Sequence, residues 1–327
     1  TAALATLGVA NYSWAGTSSS GYAATAGANP DLGWEKTNSW NVAVDMGFLD
    51  NRINLSLDYY QKKTTDLLYQ VQVPAVMGYS SAWDNIGSIS NKGLEVEINS
   101  TNVRTRDFQW NTVLNLGFNS NEVTELAEGQ SVYTGFSSTQ ILDEGQPINA
   151  FYLYKTIGVF TSQADLDKYP HLSNQIVGDY IFEDYNGDGK INSDDRQICG
   201  SPSPKMTWGL TNTFKYKNFD LSMLITGQAG GKIYGLLGRA IDRTGMGPAG
   251  NVMKRWVNAF YEEEYLDSQM KSTYSWDGKT PLLVGGTNST TYYTTDWLYS
   301  SDFVKIKNIT LGWKAPVSKL GLQKLRI

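Results

Sequence analysis

The feature that most constrains this chain is a period-two alternation repeated on both sides of short polar breaks. Trp40, Val42, Val44, Met46 and Phe48 alternate with Asn41, Ala43, Asp45 and Gly47. After Leu49-Asp50-Asn51-Arg52, the residues Ile53, Leu55, Leu57 and Tyr59 alternate with Asn54, Ser56, Asp58 and Tyr60. Successive side chains of a strand point to opposite faces, so the pattern predicts an antiparallel hairpin with one apolar and one polar face. Each arm has about the 9–11 residues that a tilted strand needs to cross a bilayer. Asp45 and Asp58 fall on the polar face, as they would in a wet lumen. A soluble β-sandwich can show one such hairpin, so one hairpin decides nothing.

Repetition decides it. Leu94, Val96 and Ile98 alternate with Glu95, Glu97 and Asn99, and a turn follows at Arg104–Asp107. Phe108, Trp110, Thr112, Leu114, Leu116 and Phe118 then alternate with mainly polar or small residues. A third pair runs through Met206, Trp208, Leu210, Phe214 and Tyr216, turns at Lys217-Asn218, and returns through Phe219, Leu221, Met223 and Ile225. Aromatic residues gather near the strand ends. The connections between hairpins are long where the turns within them are short, which is the pattern of an outer-membrane barrel. A soluble sandwich would have short turns at both ends.

Composition agrees. Charged residues make up 18% of the 327, against roughly 25% in soluble domains, and aromatics 13%. No run of 18 or more apolar residues is present, which excludes a helical membrane protein. A net charge of −5 gives no electrostatic reason to expect nucleic acid. Cys199 is the single cysteine, so no intrachain disulfide and no Cys-based zinc site can form. Thr1-Ala2-Ala3-Leu4 is not the start of a signal peptide, and a final strand beginning near Leu322 runs into the chain end. About ten strands are expected, whose outermost edges would be unpaired in lipid, and an open edge in hydrocarbon is not viable. The expectation is that residues 1–327 are an internal fragment of one transmembrane β-barrel domain.

Several segments carry more than pattern. Asn29-Pro30-Asp31-Leu32-Gly33-Trp34-Glu35-Lys36-Thr37 leads into the first hairpin, and Tyr59-Tyr60 precedes Lys63-Thr64-Thr65-Asp66-Leu67-Leu68. Gly87-Ser88-Ile89-Ser90-Asn91-Lys92-Gly93-Leu94-Glu95 follows, then Gly178-Asp179, then Ser203-Pro204-Lys205, then Phe303 through Trp313. In this order they resemble the C-terminal barrel half of SusC/RagA-type TonB-linked outer-membrane transporters of Bacteroidetes. The resemblance implies a barrel of roughly 22 strands, a plug domain and a TonB box, neither visible in this chain. It also implies a SusD-like surface lipoprotein as lid, contact with TonB, and an integral outer-membrane location with loops at the cell surface. The implied activity is import, with oligosaccharide as the leading cargo and oligopeptide as the alternative, and no covalent chemistry. A barrel that only anchors a surface binding or adhesion protein is the rival reading.

One constellation has ligand chemistry. Asp184, Asn186, Asp188, Gly189, Lys190, Ile191, Asn192 and Asp195 follow the first part of a calcium loop. Oxygen side chains at its first, third and fifth positions face the ion, and Gly at the sixth permits the sharp turn. Lys190 would offer its backbone carbonyl, Ile191 would pin the loop by packing, and Asp195 stands where Glu is usual, with Asp194 as the alternative ligand. The competing reading is an Asx-rich turn without metal. A bound calcium ion would be structural, stiffening an excursion at 161–205, and Ser162-Gln163-Ala164-Asp165 is placed to cap a short helix through Lys168. Ala150–Phe160 and Val177–Phe182 are either further wall strands or parts of that excursion.

The remaining candidates carry less. His171 is the single histidine and has no nucleophile motif around it. Gly227–Gly231 with Lys232 lacks the leading Gly and the Ser/Thr of a P-loop. Glu262-Glu263-Glu264 cannot face one another across a sugar as glycosidase carboxylates do. Asn251–Tyr261 has Val252, Trp256, Val257 and Phe260 at helical spacing and predicts an amphipathic helix in the long loop 229–301. Tyr79 and Trp83, and further on Trp276, Tyr292, Tyr293 and Trp297, either stack on sugar rings or pack loop against loop.

Overall fold

The computed structural model describes residues 4–14, 16–79, 81–126, 129–238, 254–261, 266, 274–282, 293–315 and 325–326. Eight antiparallel strands form one sheet, the wall: β1 (Lys36–Phe48), β2 (Ile53–Thr65), β3 (Gly87–Arg104), β4 (Phe108–Leu126), β5 (Met206–Tyr216), β6 (Phe219–Ala229), β7 (Phe303–Ala315) and β8 (Leu325–Arg326). Each pairs with the next in chain order, and β4 meets β5 and β6 meets β7 across the long excursions. The expected alternation aligns across the ladders of the central band. Val44, Leu57, Val96, Leu116, Trp208 and Gly227 are register partners in one row on the apolar face.

The predicted turns all lie at one end of the wall. Leu49, Asp50 and Asn51 take left-handed backbone conformations with φ of 53°, 54° and 62°, which Asp and Asn tolerate better than most residues. Thr105 closes the second turn, donating its amide to the Phe108 carbonyl at 2.8 Å and accepting the Phe108 amide on Oγ1 at 3.0 Å. Lys217 turns the third at φ 49°. Lateral amide bonds from Thr101 to Arg52, Lys217 to Asp107 and Lys314 to Asn218 tie neighbouring turns together.

One sequence reading changes, and one further strand carries an irregularity. The second hairpin extends beyond its alternating part: β3 has 18 residues and β4 has 19. Its outer half pairs Gly87–Gly93 with Asn119–Leu126, beyond the hydrocarbon, so hydrophobic periodicity vanishes although the ladder continues. In β7 a bulge at Lys307 shifts the register between Leu224 and Ile225 of β6. One extra residue reverses the phase, so that both Ile306 and Ile309 reach the apolar face.

The buried core lies in the excursions and at the outer end of the wall, beyond its apolar band. Val159, Tyr180, Phe182, Ile191 and Phe260 form one cluster, Ile86, Val123, Leu126 and Leu142 a second, and Phe160, Leu166 and Ile181 a third. By contrast the wall exposes Val42 (59%), Ile309 (62%) and Leu311 (70%). Contiguous exposed apolar surface on this scale is foreign to a soluble monomer and is what hydrocarbon covers. From Phe108 to Phe118 the apolar face spans ten residue steps of about 3.4 Å. At a tilt of roughly 40° that makes a band about 25 Å tall. Trp40, Tyr59 and Phe118 border it outside; Phe108, Tyr216, Phe219 and Trp313 border it at the turn end, with Trp40 on Tyr59 at 5.5 Å and Phe219 on Trp313 at 6.5 Å.

The excursions build small sheets of their own. Ala150–Tyr154, Thr156–Val159 and Tyr180–Phe182 are strands of the excursion, not of the wall. The helix α1 (Gln163–Lys168) is capped as expected, Ser162 Oγ accepting the Asp165 amide at 3.2 Å. A hairpin of Thr6–Trp14 and Thr17–Gly27, rich in Ala, Gly, Ser and Thr with few large apolar residues such as Leu7 and Val9, carries only a weak hydrophobic signal. Of the expected helix at Asn251–Tyr261, Val252 lies outside the described residues, and the described part forms a short 3₁₀ segment, Lys254–Asn258. Its neighbours turn away to bond Asp277 to Asn258 and Phe260 to Thr280, so Trp256 and Phe260 are buried while Val257 is 71% exposed.

Candidate functional site

Opposite the apolar band the wall presents a polar face. One row holds Ala43, Asp58, Glu95, Gly117, Thr207 and Gln228; the next holds Asp45, Ser56, Glu97, Asn115, Gly209 and Thr226. Ser56 donates to Asp45 at 2.5 Å and Asn41 to Asp58 at 3.3 Å. A hollow of about 470 Å³ lies against Asp58, Glu95, Glu97 and Asn115. Gly209 leaves its floor open, since a methyl there would meet nothing within 4 Å. Above it the Tyr60 hydroxyl donates to Asn119 at 3.0 Å, and the Tyr60 ring lies so close over Gly93 that a methyl would be 2.5 Å away. The result is a surface of hydrogen-bonding oxygens with negative charge. Sequence inspection places each residue on the polar face but cannot align the rows, because cross-strand register is set by turns and bulges.

The calcium-like loop closes on itself. Asp184 accepts the amides of Gly187 at 2.8 Å and Gly189 at 2.9 Å. Asn186 accepts the Asp188 amide at 2.9 Å, and Asp188 the Lys190 amide at 2.8 Å. Gly187 and Gly189 have φ of 73° and 79°, which only glycine adopts without strain. Asp195 is fully buried at the base, accepting the Tyr185 amide at 3.0 Å and the Asn192 amide at 2.8 Å. Ile191 is buried against Phe182 and Tyr180, as its position predicted. Asp184, Asn186 and Asp188 therefore share one exposed rim, with Asp195 beneath it. Each carboxylate oxygen bonded to one amide keeps a second lone pair, and oxygen donors of this kind suit a hard cation. Among the described residues no three His, Cys, Asp or Glu side chains are already gathered to hold a metal ion.

Around this loop the excursion is fastened by polar contacts. Glu183 accepts from Gln197 at 2.5 Å and Lys155 at 3.0 Å; these bonds hold its carboxyl below the usual carboxylate range. Burial pushes the Cys199 thiol up to about 11, leaving it inert as a nucleophile. Burial, with Asp296 nearby, likewise raises the Tyr180 hydroxyl against the opposing Arg255. His171 sits with Nδ1 3.0 Å from the Tyr169 carbonyl oxygen and its ring edge-on to Phe160.

The loop aromatics divide. Trp297 is 1% exposed, beneath the Arg255 guanidinium at 4.6 Å. Trp276 packs edge-on against Phe260 at 5.4 Å and donates to the Thr280 carbonyl. Tyr293 meets Phe136 edge-on at 6.0 Å. Tyr79 and Trp83 are brought to one junction: the Tyr79 ring covers Gly27, while Trp83 accepts on its carbonyl from Asn29 at 3.0 Å, and both side chains keep part of their surface in solvent. Gly227–Ala229 end strand β6, with no phosphate-binding loop before a helix. Tyr292 and Glu262–Glu264 lie outside the described residues.

An outward apolar band, an inward polar face, short turns at one end and cored excursions at the other define the wall of a transmembrane β-barrel. The family described as TonB dependent receptor-like, beta-barrel, matches residues 5–150. TonB-dependent receptor P3 of Formosa agariphila is 33% identical over 92% of this chain, and P26 of the same organism 31% over 91%. TonB-dependent receptor SusC of Bacteroides thetaiotaomicron is 28% identical over 87%. The chain spans 29%, 29% and 26% of these relatives' lengths. In three dimensions it superposes on the RagAB peptide transporter with a TM-score of 0.72 at 23% identity, covering 98% of this chain and 34% of that one. The chain belongs to the TonB-dependent receptor family, as part of its outer-membrane β-barrel, and it resembles SusC and RagA within that family.

Proposed function

We propose that this wall forms part of an importer that takes oligosaccharides across the outer membrane, with a SusD-like lipoprotein as lid and TonB as the source of energy. The observation that carries the cargo reading is the inward face: Asp45, Asp58, Glu95, Glu97 and Asn115 in two adjacent rows offer acceptors to a hydroxyl-rich ligand. Carboxylates and amides are the side chains that exchange hydrogen bonds with sugar hydroxyls without requiring a charged ligand. At the outer end Tyr79 and Trp83 offer ring surface for sugar stacking beside the junction they also pack. The excursions, with their own cores, face the cell exterior and form the mouth that the lid closes. Calcium on the rim of Asp184, Asn186, Asp188 and the Lys190 carbonyl, with Asp195 at its base, stiffens the larger excursion.

Oligopeptide is the second reading, suggested by the RagAB peptide transporter and peptide importer structures of similar fold. At 23% identity those structures bear on the fold alone. Uptake of labelled neutral oligosaccharides and of labelled oligopeptides by cells producing the whole receptor separates the two. The proposal expects saccharide uptake that stops when the proton gradient is collapsed. Peptide uptake with the same energy dependence replaces the cargo, and uptake of neither removes the importer reading.

A further inference from the structure

A hollow of about 850 Å³ opens at the outer end of the wall, where β4 and β5 part. Tyr59, Leu94 and Phe118, register partners in the outermost apolar row of β2, β3 and β4, form its lower rim. Lys92, two residues further out along β3, stands on that same face, and Lys205 and Lys232 join it from the approach to β5 and the segment after β6. The lining contains these three lysines and no carboxylate, in a chain whose net charge is −5. Among the described residues the ion pairs lie elsewhere, at Lys36–Asp66, Lys155–Glu183 and Arg255–Asp296.

Two glycines hold the lysine stems in place. Gly200 has φ +122°, and a methyl there would meet Lys232 Cγ at 3.0 Å; Gly230 has φ +86°, and a methyl would meet Lys205 Cβ and Cγ at 3.0 Å. Both stems thus lie against bare backbone in conformations that L side chains rarely adopt. Ser201 and Ser203 add hydroxyls to the same lining.

We infer that this hollow holds the phosphate-bearing headgroup of an outer-leaflet lipid. Its height on the wall is the argument: apolar surface ends at Tyr59, Leu94 and Phe118, and positive charge begins one row further out. Aromatic rings sit at the headgroup level of a bilayer, and basic pockets just beyond the hydrocarbon bind anionic headgroups. The acyl chains would descend over the three apolar side chains while the lysines meet the phosphate. This inference rests on the seating of the wall in a membrane and is independent of the cargo proposed above.

The test is native mass spectrometry of the whole detergent-solubilised receptor, titrated with diphosphoryl lipid A, with dephosphorylated lipid A, and with inorganic phosphate alone. With three lysines contributing, the phosphorylated lipid should bind about 100-fold more tightly than its dephosphorylated form. The combined Lys92→Gln, Lys205→Gln and Lys232→Gln variant should lose most of that preference. Equal binding of the two lipids by the wild-type protein overturns the inference whether or not the variant folds. Inorganic phosphate binding as tightly as the lipid overturns the lipid source and assigns the hollow to free phosphate.

Discussion

The indole of Trp208 covers Gly227, its register partner on the neighbouring strand, so closely that a methyl on that glycine would lie 2.5 Å from the ring. The contact is on the apolar face, where a large aromatic fills the space beside a residue without a side chain. Gly227→Ala should therefore cost about 1–3 kcal/mol through overpacking. In a Trp208→Ala background the same change should be nearly neutral. Denaturant unfolding of the four proteins in a double-mutant cycle reads the coupling; additive losses would mean that the ring does not rest on the glycine.

The two faces of β5 should respond oppositely to charge. Leu210→Arg places a cation in the middle of the apolar band and should cost about 2–4 kcal/mol. Thr211→Arg, one residue on and facing the lumen, should stay within about 1 kcal/mol. Urea unfolding of the receptor in phospholipid vesicles measures both, and equal losses would contradict the assignment of faces.

Calcium should raise the thermal midpoint of the whole receptor, and Asp184→Ala combined with Asp188→Ala should abolish the gain. Melting that is the same with calcium and with chelator would leave the loop as a metal-free Asx turn. The buried Asp195 serves the loop in either case. Asp195→Ala strands the Tyr185 and Asn192 amides, at a local cost of about 1–3 kcal/mol each if they remain buried. Hydrogen exchange at those two amides should then accelerate without metal present.

Acid should loosen the joint between Thr156–Val159 and Tyr180–Phe182. The Gln197 and Lys155 bonds hold Glu183 below its ordinary range, so the stability it adds is complete above the unfolded value of about 4.3 and is lost as pH falls through the lower folded value. Hydrogen exchange corrected for intrinsic rates should show protection of the Glu183 amide, bonded to the Lys155 carbonyl at 2.9 Å, declining in that window. Glu183→Gln should flatten the decline; an unchanged profile would place the effect elsewhere.

The wall was legible in the sequence because a membrane imposes opposite demands on alternate residues, and Trp40–Tyr60 and Phe219–Ile225 obey them strictly. The Ser162 cap and the packing of Ile191 were legible because each follows a local rule. The outer half of β3 and β4 was not, since residues such as Asn119, Ser120 and Asn121 meet no hydrocarbon and lose the alternation while keeping the ladder. The Thr6–Trp14 hairpin has too few large apolar residues to announce itself. The carboxylate rows and the lysine hollow depend on register and on segments far apart in the chain. Lys92 meets Lys205 and Lys232 only after the excursions fold.

Gentle purification of the whole receptor from outer membranes, followed by mass spectrometry of everything retained, tests the central claim most directly. The account predicts a co-purifying SusD-like lipoprotein and a bound oligosaccharide. A barrel that emerges with neither partner nor ligand would contradict it and support a surface-anchored binding protein.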